Sequence, residues 1–111
     1  MEIIDRPAIE FVDVEKVLLS VAPKDEDGRL VVLDFNLEWS VEDQVPVPPE
    51  TGDVVVLLEG DTAYERWAVS GVPGTCVVVV SNGNLVERMP VTIKYGEPSA
   101  LNLSAGTPVH E

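Results

Sequence analysis

His110 and Cys76 are the only histidine and the only cysteine among the 111 residues, and any imidazole- or thiol-based chemistry would have to start from them. A nucleophile activated by a base needs the two groups held within hydrogen-bond reach. His110 stands one place from the last residue, where a chain usually frays. Cys76 lies in Thr-Cys-Val-Val-Val-Val at 75–80, an apolar run that buries a thiol, keeps its pKa high and leaves it inert. Zinc fails for want of ligands. Calcium is the one cation to weigh: Asp25-Glu26-Asp27-Gly28 forms half of an acidic loop, and Glu59-Gly60-Asp61 is a smaller acidic turn. Neither has the spaced series of oxygen ligands that calcium loops use, and both read as solvated turns. The expectation is a protein with no catalytic residues, no metal site and no cofactor, and therefore not an enzyme.

Two aromatic groups could bind rather than react. Trp39 and Trp67 would stack on sugar rings if exposed, although aromatic residues make up only 5% of the chain. Trp39 belongs to an alternating apolar face and reads as core; the pattern does not place Trp67.

The stretch that positions Trp39 is 30–41, Leu-Val-Val-Leu-Asp-Phe-Asn-Leu-Glu-Trp-Ser-Val. Val31, Leu33, Phe35, Leu37, Trp39 and Val41 fall on every second position with polar groups between them. That period marks a strand with one buried face, and a slip of one residue would turn Asp34, Asn36 and Glu38 inward, so its register is firmly set.

The remaining strands are arranged around it. Residues 1–8 read as an extended arm, with Pro7 blocking a helix start, and 9–111 as one domain. Residues 9–21 predict one long or two short strands, followed by a turn at 23–28. Three prolines stiffen 42–53 into an extended crossing. Strands are expected at 54–58 and 62–69. The strongest hairpin joins 75–80 to 85–95 through Asn82-Gly83, a pair suited to positive φ in a tight turn. Pro90 cannot donate to a ladder, so the return strand has an open edge or a bulge at that point. Residues 100–103 could add a last short strand.

Nine prolines and eight glycines, with 45% hydrophobic and 24% charged residues, give many turns and no helical stretch. About seven strands in a chain of this length predict an all-β, antiparallel sandwich. A net charge of −13, from 20 acidic and 7 basic residues, repels phosphate backbones and anionic lipid headgroups. Nucleic acid and membrane are therefore not expected as partners. A single cysteine excludes an intrachain disulfide, and the first residues resemble neither a signal peptide nor a membrane span. Both ends are expected to be tied down.

Pro73-Gly74-Thr75-Cys76-Val77-Val78-Val79-Val80-Ser81-Asn82-Gly83 resembles the penultimate-strand signature of bacterial and phage immunoglobulin-like domains of the PKD type, and Leu37-Glu38-Trp39-Ser40 resembles their earlier Trp-bearing strand. Cys76 stands where those domains prefer Tyr, and Val41-Glu42-Asp43-Gln44 replaces the Gly-Asp-Gly that commonly follows their Trp strand. The resemblance implies an immunoglobulin-like fold and leaves function open.

Function is read from surface. The runs at 54–58 and 76–80 are apolar on both faces, yet a two-layer sandwich buries only one face of each sheet. The outward side chains are expected either to be covered by the chain's own loops or to meet another protein. The candidate interface residues are Ile3, Ile4, Pro7, Val54, Val56, Leu58, Val77 and Val79. Together these features predict a virion structural protein made in the host cytoplasm and carried on the outer capsid surface of a tailed phage. It would be a decoration or cement protein whose partners are copies of itself or the major capsid protein. The alternative is a recognition module for carbohydrate or a cell-surface protein, using Trp67 and Tyr64.

Overall fold

The computed structural model describes residues 2–31, 37–83, 85–96 and 101–110. It contains eight strands and, among the described residues, no helix. These are β1 (Glu2–Asp5), β2 (Ile9–Val12), β3 (Lys16–Ser20), β4 (Glu38–Pro46), β5 (Val55–Glu59), β6 (Glu65–Ser70), β7 (Gly74–Ser81) and β8 (Leu85–Lys94). They form two sheets. One has the order β1-β8-β7-β4 with β2 also on β8, and the other the order β3-β6-β5.

The expected all-β sandwich is present, and the hairpin through Asn82-Gly83 joins β7 to β8. Gly83 takes φ 95° and Asn82 Oδ1 accepts the Leu85 N–H at 2.8 Å, the local chemistry that lets this dipeptide reverse the chain. The stretch 9–21 resolves into the two short strands β2 and β3. The turn at 23–28 is built by Asp25, whose Oδ1 accepts the N–H groups of Asp27 and Arg29, with Gly28 at φ 79°.

Four expectations are corrected. The sheet holding β8 is not wholly antiparallel, because β1 pairs parallel with β8 in the register Glu2↔Leu85 to Asp5↔Arg88, which ties the N-terminal end down as expected, and β2 pairs parallel with it from Ile9↔Val91 to Val12↔Lys94. The sheet is thus mixed. The first two strands reach β8 by tertiary contact rather than through a hairpin, so no tight turn dictates their direction. Secondly, the strand bearing Trp39 begins at Glu38 and runs on to Pro46, through part of the Pro-rich crossing, with its register shifting between Glu42 and Val45. Residues 32–36 of the predicted organising stretch lie outside the described residues. Thirdly, 101–103 is not strand: Leu101 and Leu103 are 89% and 99% exposed, and 101–110 is exposed throughout. Of the two ends expected to be tied down, the N-terminal one is, through β1. Finally, the described residues form eight strands beside the about seven expected, since the arm contributes β1.

Pro90 sits where this topology tolerates it. β1 pairs with 85–88 and β2 with 91–94, so on that side of β8 nothing pairs with Met89 or Pro90, and the missing N–H costs no ladder bond there.

The core lies between the sheets. Phe11, Leu19, Val54, Val55, Ala68, Cys76, Val78, Val91 and Ile93 form its buried cluster, with Trp39, Val41, Leu57 and Met89 packed against it. Ile93, Val54, Val55 and Val91 are almost wholly enclosed, each stabilising the fold by about 1.5 to 3 kcal/mol.

Candidate interaction surfaces

Residues directly opposite in an antiparallel pair share a sheet face, so register decides which apolar groups look outward. In the three-stranded sheet Leu19, Ala68 and Leu57 turn toward the core. Leu18, Trp67 and Leu58 form one row across its outer face, because Leu18↔Trp67 and Leu58↔Trp67 are paired. Lys16, Val69 and Val56 form the next row. Leu18, Val56 and Leu58 are 41%, 41% and 51% exposed. Lys16 Nζ lies 4.3 Å from the centre of the Trp67 ring, a cation–π contact that occupies one face of the indole. The result is a contiguous apolar patch with one cation on it, on an otherwise acidic protein.

The five-stranded sheet treats its outward valines differently. Val79 is 8% exposed although it faces away from the core. Its neighbour on β8 is Arg88, whose guanidinium reaches Asp43 at 3.5 Å and Glu42 at 4.0 Å. Glu42 belongs to β4, on the far side of β7, so the Arg88 stem crosses over β7 and covers it.

The two long sides of the sandwich also differ. Between β4 and β5 the gap is closed by Gln44, whose Oε1 accepts the backbone N–H groups of Val54 at 2.7 Å and Val55 at 3.4 Å while its Nε2 donates to Asp53. Between β1 and β3 no strand of the described residues closes the sandwich. A cavity of about 920 Å³ enters the apolar interior there, lined by Ile4, Leu19, Val21, Trp39, Val80 and Met89 among others. Trp39, expected as core, is half-buried at this opening; its Nε1 donates to the Ala63 carbonyl at 3.3 Å and Arg66 stands 5.6 Å over its ring.

The candidate interface residues therefore scatter. Val56 and Leu58 share the outer patch. Val54 is fully buried in the chain's own core and Val79 lies beneath Arg88, which corrects their assignment to a surface. Val77 is half-covered. Ile3 is exposed on the outer face of β1, Ile4 turns into the open side, and Pro7 is exposed between β1 and β2. Leu18 and Val69 were not expected at an interface, and Trp67 was expected at one only in the recognition-module reading. β3 and β6 carry apolar groups on both parities, so only the cross-strand pairing selects those facing out.

Burial pushes the Cys76 thiol up to about 11. Asp25 is engaged in its own turn, and no group of three His, Cys, Asp or Glu side chains among the described residues could hold a metal ion. No helix of the described residues is long and apolar enough to cross a membrane.

No family model matches this chain. Nor does any curated protein or solved structure match it. The functional reading therefore rests on these surfaces alone.

Proposed function

We propose that this chain is a virion structural protein, a decoration or cement protein that docks on a capsid lattice through the outer face of β3-β6-β5. The observation that carries the reading is the exposed pair of rows Leu18–Trp67–Leu58 and Lys16–Val69–Val56. An uncovered apolar patch rimmed by polar groups marks a contact surface. Two rows on three strands about 4.8 Å apart cover far less than the roughly 800 Å² per partner of a stable pairwise interface, so repeated docking on a lattice suits the patch better than one isolated contact. With Lys16 over the Trp67 ring, protein docking is favoured over sugar stacking.

An immunoglobulin-like topology is part of the proposal. The order β3-β6-β5 opposite β8-β7-β4, with the first strands crossing onto β8 in parallel, supports it.

The test is sedimentation of phage particles from the organism that encodes the chain. The chain is expected in the particle band, and Leu58→Lys with Val56→Lys is expected to remove it while leaving the folded domain in the soluble fraction. Absence of the wild-type chain from purified particles overturns the reading.

A further inference from the structure

The open side of the sandwich and the C-terminal segment are complementary. β1 and β3 flank the opening, and each is the last strand of its sheet, with one edge carrying no partner strand among the described residues. The opening exposes an apolar interior that the Gln44 clamp closes on the opposite side. Among the described residues, what the β1–β3 side lacks is a strand with apolar groups on one face. Residues 101–109, Leu-Asn-Leu-Ser-Ala-Gly-Thr-Pro-Val, have that pattern: four of the five alternate positions are apolar, Leu101, Leu103, Ala105 and Val109, with Thr107 as the fifth. Leu101, Leu103 and Val109 are 89%, 99% and 87% exposed. The segment also carries no charge, in a chain of net charge −13, so it can enter an apolar groove without burying an ion.

We propose that residues 101–109 of one copy insert as an added strand into the β1–β3 opening of a second copy. Pairing with an open sheet edge supplies main-chain hydrogen bonds, and the alternate leucines fill the interior. The donor is a second copy because of where the two parts lie. The segment follows β8 at its Lys94 end, whereas the opening runs along the first half of β8, from Leu85 to Met89. Residues 101–109 are all exposed, so the segment is not packed on its own domain. A donor at one end and an acceptor at the other join copies head to tail, an interface that propagates into chains or closes into rings. The inference stands apart from lattice docking, which uses the outer face of β3-β6-β5.

The experiment is sedimentation velocity of the full chain from low micromolar to submillimolar concentration, beside the variant Leu101→Asp with Leu103→Asp. The wild-type mass is expected to rise with concentration from 12.0 kDa through integral multiples, and the variant to stay at one chain mass with an unchanged circular dichroism spectrum. A labelled peptide of residues 97–111 is expected to bind the variant, whose groove is empty, and not to bind a second variant carrying Val80→Lys in addition. A wild-type chain that remains monomeric throughout overturns the proposal, as would occur if the segment folded onto its own domain. Oligomers that persist in the Leu101→Asp, Leu103→Asp variant overturn it too. Leu58→Lys is expected to leave this association unchanged, which separates its failure from that of lattice docking.

Discussion

The Gln44 side-chain oxygen accepts the Val54 backbone N–H at 2.7 Å, linking β4 of one sheet to the start of β5 in the other. A partly buried amide left without its acceptor costs about 1 to 3 kcal/mol. Gln44→Leu should therefore lower the melting temperature by roughly 4 to 12 °C, at about 4 °C per kcal/mol for a domain of this size. Gln44→Glu keeps the acceptor oxygen but places a carboxylate beside Asp53, and should fall between the two. Equal melting of Gln44→Leu and wild type would show that the clamp contributes nothing.

Arg88 covers Val79 with its stem, and its ion pairs at 3.5 and 4.0 Å are partly solvated contacts of the kind worth roughly 0 to 1 kcal/mol. Arg88→Met should stay within about 0.5 kcal/mol of wild type, while Arg88→Ala should lose about 1 kcal/mol in urea unfolding. Equal losses in both would assign the effect to charge instead of cover.

Cys76 is 3% exposed, and burial raises its thiol pKa to about 11. The native chain should react with a thiol reagent at pH 8 far more slowly than the urea-unfolded chain. Because the folded pKa lies above the unfolded one, the unfolded state loses its proton first. The contribution of this group is complete below about pH 8.5 and is lost as pH rises toward 11, by about 1.4 kcal/mol per unit. A flat stability profile over that window, followed by urea titration, would contradict a neutral buried thiol.

Gly74 lies where β7 meets β4, and a Cβ there would stand 2.4 Å from the Val45 carbonyl oxygen and 2.8 Å from the Pro46 Cα. Both are backbone atoms, so the strands themselves must shift. Gly74→Ala should cost about 1 to 3 kcal/mol, read as a lower urea midpoint. Gly106→Ala, with nothing within 4 Å, should leave the midpoint unchanged.

What the linear chain determined was everything governed by local chemistry. The two-residue period around Trp39, the Asx turn at Asp25, and the Asn82-Gly83 reversal each depend on φ preferences or short-range hydrogen bonds, and they produced an all-β sandwich with its strongest hairpin in place. Tertiary structure decided how strands distant in sequence met. The parallel docking of β1 and β2 on β8 follows from no turn, so neither the arm's partner strand nor its direction was legible. Val55 and Val56 are indistinguishable in an unbroken apolar run, yet pairing turns the first inward and leaves the second outside. Arg88 reaches Glu42 across an intervening strand, a contact 46 residues apart that covers Val79 and that no periodicity reveals. Whether an apolar side chain becomes core or surface depends on which neighbour stands opposite it, and that is fixed only when the sheets form.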